Sequence, residues 1–80
     1  MAKVINQDIS IGENLRTLRR RAKLSQEKAA SKLQLMGISM SREIISQMEQ
    51  GTHNIKVSVL LAMCILYEAS IDDFFKDIHL

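Results

Sequence analysis

The stretch SREIISQMEQG, residues 41–51, decides how the chain folds. It opens with a serine, which accepts a backbone hydrogen bond at a helix N-terminus, and closes with Gly51, which favours the left-handed backbone found after a helix. Ile45 and Met48 are spaced to share one face of that helix. The polar residues around them fall on the other face: Arg42, Glu43, Ser46 and Gln47. The stretch predicts a short amphipathic helix over about 42–49 with a polar outer face.

Two helices are predicted before this stretch. Ser10 and Glu13 have the spacing of a capping box, in which each side chain bonds the other's backbone N–H, ahead of a helix over about 11–23. Ser25 is the next capping residue and precedes a helix over about 26–35 whose inner face is made of small side chains. Because small side chains let two helices approach closely, this helix is expected to cross a neighbour at short distance.

Two more helices are predicted after the stretch. Residues 57–67 are apolar nearly all round, which indicates a helix buried on most sides. Ser70 and Asp73 again have capping spacing and open a last helix over about 71–78. The chain has no proline, and no alternating run of β-branched residues indicates a strand. We therefore expect an all-α, five-helix fold without strands, in a single domain over residues 1–80.

Composition excludes several classes of protein. A single cysteine, Cys64, allows no intramolecular disulfide, and no cysteine–histidine set has the spacing of a zinc site. The longest apolar run, residues 59–67, is far short of the ~20 residues that a membrane span requires. No paired carboxylates, Cys–His dyad or phosphate-binding glycine loop appears at usable spacing. The sequence predicts a soluble cytoplasmic protein that is not an enzyme and takes no cofactor, metal or small-molecule ligand.

Charge is distributed unevenly along the chain. Residues 1–67 carry ten Lys and Arg against five Asp and Glu, a balance of +5, whereas residues 68–80 carry one lysine against four acidic residues, a balance of −3. A basic body with an acidic end suits a protein that turns one positive face toward nucleic acid. An unevenly charged solvated surface is the alternative, so charge favours a DNA partner without establishing it.

The motifs, taken in order, resemble the phage-repressor and Cro-like helix-turn-helix proteins, also called the XRE family. The matching pieces are IGENLRTLR at 11–19, LSQE at 24–27, SREIISQMEQG at 41–51, LLA at 60–62 and SIDDFF at 70–75. The resemblance implies a lambda-repressor-like domain that binds double-stranded DNA. In such a domain the third helix enters the major groove and the second lies across the phosphate backbone.

The resemblance also implies residue roles. Base contacts fall to Arg42, which can pair with guanine, to Gln47, which can pair with adenine, and to Glu43, which can accept from cytosine. An ordinary solvated side chain is the alternative for Arg42 and Gln47, and a favourable interaction with the helix dipole is the alternative for Glu43. The implied phosphate contacts are Gln26, Lys28, Ser41, Ser46, Thr52 and His53. Arg19 and Glu49 match positions that form a structural ion pair between the first and third helices.

The connection between the second and third helices departs from the family pattern. Residues 33–41 are about five residues longer than the three or four that usually join these helices, which indicates a long-turn subgroup. Leu35, Ile38 and Met40 are expected to pack this longer turn onto the core. The relative angle of the two helices is open at this stage.

The predicted function is that of a sequence-specific transcriptional regulator, a repressor in the first instance, that binds its operator as a homodimer. A single short helix reads few base pairs, and two-fold pairing doubles the site. The alternative is a protein-interaction module, such as an antitoxin-like or anti-repressor partner. That module would use Val59, Met63 and Leu66 on the fourth helix, and the same three residues would serve equally as a homodimer seam.

Overall fold

A computed structural model describes residues Val4–His79. The elements follow in this order: strand β1 (Val4–Ile5), helices α1 (Gly12–Arg21), α2 (Gln26–Leu35) and α3 (Arg42–Glu49), strand β2 (Ile55–Lys56), helix α4 (Val57–Leu66) and the 3₁₀ helix η1 (Ile71–Phe75). Helix α1 packs against α3 and η1, while α2 packs against α3 and α4. The predicted all-α class is confirmed in that helices carry the fold.

Helices α2 and α3 begin directly after the serines that indicated them. Ser25 Oγ accepts a hydrogen bond from the backbone N–H of Lys28 at 3.0 Å, and Ser41 Oγ accepts one from Ile44 at 3.2 Å. Both serines have extended backbone, as a residue preceding a helix requires. These bonds satisfy donors that the first turn leaves free.

All four α-helices of the described chain end in the same way. Each is followed by a residue with positive φ: Lys23, Gly37, Gly51 and Glu68. After α3, Gly51 donates to the Met48 carbonyl at 3.1 Å and Thr52 donates to the Gln47 carbonyl at 2.9 Å, which is the pattern of a Schellman motif. The same pair of bonds closes the other three helices, so the chain turns sharply after every one.

The capping box predicted at the start of α1 is wrong. The helix begins at Gly12, and Ile11 precedes it without any side-chain cap. Ser10 Oγ accepts instead from the Gly12 N–H at 3.0 Å, while the Ile11 N–H donates to Gln7 Oε1 at 3.1 Å. Because α1 starts one residue later than predicted, Ser10 and Glu13 are out of capping register.

The expectation of a chain without strands is also wrong. Strands β1 and β2 pair antiparallel, with Val4 opposite Lys56 and Ile5 opposite Ile55. Two-residue strands are too short to show an alternating pattern, so periodicity gives no signal for them. Ile55 is fully buried, and this pairing holds the N-terminal segment against the connector that follows α3.

The five-helix count is not matched, because the last element is a short 3₁₀ helix rather than an α-helix over 71–78. Its start is as the sequence indicates, since the Ser70 N–H donates to Asp73 Oδ2 at 3.0 Å. Its end is set by Asn14 of α1, whose Nδ2 donates to the carbonyls of Phe74 at 3.0 Å and Lys76 at 2.8 Å. Lys76 is consequently extended, and the helix stops at Phe75.

The long turn between α2 and α3 packs differently from the prediction. Met40 is buried and Ile38 is half-buried, as expected, but Leu35 is 87% exposed. Gln34 donates from Nε2 to the Met40 carbonyl at 2.7 Å and so holds the turn against the end of α2. Leu35 is the last residue of α2 and falls on the side away from Leu33, which is fully buried.

The fourth helix, α4, is buried on one side only, so the prediction of a helix buried on most sides is wrong. Val59, Leu60, Ala62 and Met63 are its buried residues. Two of the residues that the sequence offered as a partner-binding face, Val59 and Met63, are therefore inside the protein, and Leu66 is half-buried. The interaction face proposed from the sequence is wrong, because a helix that is apolar all round gives no pattern to show which side faces inward.

The buried hydroxyl of Tyr67 affects the stability of the core. Its side chain is buried, and its hydroxyl has no hydrogen-bond partner among the described residues. Burial raises the pKa of this hydroxyl above its ordinary value. Tyr67→Phe should therefore leave stability unchanged at neutral pH or raise it by about 1 kcal/mol, because the unpartnered polar group is removed. Thermal unfolding at pH 7 measures this.

The same substitution should alter the response to alkali. Because the pKa is raised in the folded state, the free energy of unfolding has its full value below the ordinary tyrosine pKa. It falls as pH rises from there through the folded pKa. The wild type should lose stability at high pH more steeply than Tyr67→Phe. As Tyr67 is the only tyrosine, the absorbance of its phenolate reports this group alone. A phenol titrating near its ordinary pKa in the folded protein would contradict the prediction.

Candidate nucleic-acid interface

The outer face of α3 is polar and accessible. Arg42, Glu43 and Gln47 are exposed, and Ser46 is half-buried beside them. On the opposite side Ile45 and Met48 are completely enclosed in the core. The structure therefore brings the three residues assigned to base contact onto one exposed helix surface, with their backbone held from behind.

Glu49 anchors the C-terminal end of α3. Arg19 of α1 donates from Nε to Glu49 Oε2 at 2.7 Å and from Nη2 to Oε1 at 3.0 Å, a two-point ion pair. Both residues are nearly inaccessible, at 7% and 5% exposure. Hydrogen bonding to Glu49 raises the pKa of Arg19 above its ordinary value, so the buried guanidinium keeps its charge. Arg19 Nη1 also donates to the Leu24 carbonyl at 2.8 Å and so ties the α1–α2 connection to the pair.

The start of α2 meets the same carboxylate. Gln26 donates from Nε2 to Glu49 Oε1 at 3.1 Å, so one of its two amide hydrogens is used within the protein. Lys28, one turn into α2, is exposed. Glu49 thus sets the N-terminus of α2 beside the C-terminal end of α3.

Gly12 allows α1 to approach α3 at this point. A Cβ placed on Gly12 would overlap the backbone carbonyl of Glu49. The first turn of α1 therefore lies directly against the last turn of α3, and only a glycine fits there.

The hydroxyls assigned to phosphate contact already form hydrogen bonds within the protein. Two of them act as acceptors and keep their own hydrogen, whereas the third acts as a donor. Ser41 Oγ and Ser46 Oγ accept hydrogen bonds, from Ile44 N–H and from Gln50 Nε2, so their own hydrogens remain available. Thr52 Oγ1 donates to the Gln47 carbonyl at 3.2 Å, and its single hydrogen is used there. Thr52 ends α3 rather than offering a donor.

His53 is held in the connector after α3. Its Nδ1 lies 2.6 Å from the Asn54 carbonyl oxygen, which only accepts, so the ring hydrogen is on Nδ1. The other ring nitrogen, Nε2, then carries a hydrogen only when the ring is protonated.

Two residues that position this surface were missed by the sequence reasoning. Gln7 donates from Nε2 to the Met48 carbonyl at 3.2 Å and to the His53 carbonyl at 2.7 Å, and so holds the end of α3 and its connector. Arg16 places Nε 3.7 Å from Glu49 Oε1. Arg16 could have been found, since it lies one turn before Arg19 on the same face of α1. Gln7 could not, because the two carbonyls to which it donates are more than forty residues away.

Within Val4–His79, no cluster of three or more His, Cys, Asp or Glu side chains could hold a metal ion. Over that part of the chain, no helix is long and apolar enough to cross a membrane.

Comparison with known proteins agrees with this geometry. A search of curated proteins finds no significant match to the sequence. A family model described as "Helix-turn-helix domain" matches residues 10–74, which include all four α-helices and most of η1. That match covers the two crossing helices, the long turn and the buried pair that joins them to α1. The chain therefore belongs to the helix-turn-helix domain family, which supports DNA binding.

Proposed function

We propose that this protein is a sequence-specific transcriptional regulator of the phage-repressor type, with α3 lying in the major groove of a double-stranded DNA operator. One observation carries the proposal: Arg42, Glu43 and Gln47 are exposed on a helix whose inner side is fixed by buried Ile45 and by the Arg19–Glu49 pair. Base reading needs such a rigid frame, because hydrogen bonds to base edges depend on placement within the groove.

Each base-reading residue has a defined chemical role in this proposal. Arg42 donates to guanine O6 and N7, and Gln47 pairs with adenine N6 and N7. Glu43 accepts from cytosine N4. Glu43 and Gln47 are one turn apart, so they address neighbouring positions in the groove.

The phosphate contacts follow from which donors are free. Lys28 is an exposed cation near the N-terminus of α2, where backbone N–H groups and the helix dipole favour an anion. Gln26 keeps one amide hydrogen, and Ser41 and Ser46 keep their hydroxyl hydrogens. The proposed phosphate-contacting set also includes His53, in the connector after α3, and Thr52, whose hydroxyl hydrogen is used within the protein. These contacts orient the protein without reading sequence.

The biological form we propose is a homodimeric repressor acting in the cytoplasm. Two copies would place their α3 helices in successive major grooves, roughly 34 Å apart, on a palindromic site. Bound there, the protein blocks access to the DNA by occupying it, which requires no catalytic group and no cofactor.

Selection of bound sequences from a random DNA pool tests the proposal as a whole. We expect an enriched motif with two-fold symmetry and half-sites separated by about one helical turn. Recovery of unselected sequence, or affinity without salt dependence, would overturn it, because phosphate contacts release counterions when they form.

Arg42 and Lys28 form a matched pair of exposed cations on neighbouring helices. Arg42→Ala should flatten preference at one base pair and cost about 1–3 kcal/mol on the best site. Lys28→Ala should weaken binding to all sequences by a similar factor, keep the preference profile and reduce the salt slope by about one. Binding measured on a panel of single-base variants at several salt concentrations separates the two effects.

A uniform effect of Arg42→Ala would assign base reading to other residues. If Arg42→Ala weakens all sequences uniformly and leaves preference unchanged, Arg42 contacts phosphate. The long turn would then have rotated α3 within the groove, and Glu43 and Gln47 would be the first residues to test for base reading.

A further inference from the structure

Helix α4 carries an apolar stripe that faces away from the core. Val57, Leu61 and Ile65 are spaced four residues apart and so share one side of the helix. They are 44%, 54% and 71% exposed. No charged residue occurs between Val57 and Leu66 to keep this side solvated, although a quarter of the chain is charged. An exposed apolar stripe of this kind is typical of an interaction site.

Charges at the ends of α4 indicate which partner fits. Lys56 precedes the helix and Glu68 follows it closely, and both are exposed. When two copies of this helix pair antiparallel, each Lys56 approaches the Glu68 of the other copy, whereas parallel pairing brings like charges together. An antiparallel pair of this kind is a two-fold interface, in which the contact between Lys56 and Glu68 occurs twice.

The two-fold arrangement also suits the stripe. Leu61 lies at its middle, so pairing Val57 of one copy with Ile65 of the other places the two Leu61 side chains together at the axis. We propose that α4 binds a second copy of this chain antiparallel through Val57, Leu61 and Ile65, with Lys56 and Glu68 setting the orientation. This inference rests on the proposed function in that it identifies the interface of the homodimer.

The size of the surface sets how tightly it holds. A ten-residue helix is about 15 Å long, so contact through α4 alone buries less than the ~1,200 Å² typical of stable complexes. The free protein should therefore associate weakly and reversibly. An operator with two half-sites raises the effective concentration of one copy beside the other and strengthens the pair.

Sedimentation of the free protein over a range of concentrations tests the interface. The wild type should show a monomer–dimer equilibrium, and Leu61→Glu should raise the dissociation constant at least tenfold by placing two carboxylates at the axis. Leu35→Glu is the control, because Leu35 is the most exposed large apolar residue outside α4. It should dimerise as the wild type does. Thermal unfolding checks that both variants are folded.

Charge exchange tests the orientation. Lys56→Glu and Glu68→Lys should each weaken the dimer, and the double variant should regain most of the loss because the attraction is restored in reverse. A wild type that stays monomeric up to about 1 mM, the edge of weak affinity, would overturn the proposal. So would unchanged dimerisation in Leu61→Glu, loss of it in Leu35→Glu, or a double variant weaker than both singles.

Binding to a single half-site separates this inference from the proposed function. Leu61→Glu should keep the base preference of the wild type on one half-site and lose only the extra affinity of the palindrome. If base preference holds while the wild type never pairs, the interface is refuted and DNA reading stands. If pairing occurs without base preference, the proposed function fails and the interface stands.

Discussion

Glu49→Ala should lower the free energy of unfolding by about 3–5 kcal/mol, which is a large part of the total stability of a domain of this size. The substitution leaves the Arg19 guanidinium, 7% exposed, without the carboxylate that receives two of its hydrogen bonds. Gln26 loses its hydrogen-bond acceptor, and Arg16 loses the carboxylate that lies 3.7 Å from its Nε. Denaturant unfolding followed by circular dichroism measures the loss.

Glu13→Ala is the control, since Glu13 is an exposed glutamate in the first turn of α1. It should change stability by no more than about 0.5 kcal/mol, as exposed surface substitutions usually do. Glu49→Gln should fall between the two, because the amide oxygen still accepts one hydrogen bond but the charge is gone. Equal unfolding midpoints for Glu49→Ala and Glu13→Ala would remove the claim that the ion pair holds α1 to α3.

Gly12→Ala should destabilise the protein by about 3 kcal/mol or more, at the upper end of what overpacking costs. Alanine is ordinarily better than glycine inside a helix by roughly 0.5–1 kcal/mol, so propensity alone predicts the opposite sign. The added Cβ would overlap the Glu49 carbonyl, and backbone cannot rotate away as a side chain does. Separating α1 from α3 would also stretch the Arg19–Glu49 bonds. Thermal and chemical unfolding measure the effect.

Gly37→Ala distinguishes lack of space from backbone strain. Gly37 has a φ of +84°, but nothing lies within 4 Å of its virtual Cβ. Its replacement should therefore cost only about 1–2 kcal/mol, the penalty of left-handed backbone for other residues. A Gly12→Ala variant as stable as the wild type, or more stable, would show that α1 and α3 have room between them.

Local chemistry determined much of this protein from sequence. Ser25 and Ser41 start their helices, and Gly37 and Gly51 end theirs, because a cap needs only residues a few positions away. The exposed face of α3 also follows from the sequence, because Ile45 and Met48 are three residues apart and share the buried side, which leaves the polar residues on the other side. Ser10 shows the limit, because a matching spacing is insufficient when the helix starts one residue later.

Tertiary structure decided what depends on contacts far apart in the chain. The pairing of β1 with β2, the hold of Gln7 on the end of α3 and the stop that Asn14 imposes on η1 each join segments more than forty residues apart. Which side of α4 faces outward also depends on contacts with distant parts of the chain. When a helix is apolar nearly all round, its orientation is set by the surfaces it meets, and these exist only once the other helices have packed.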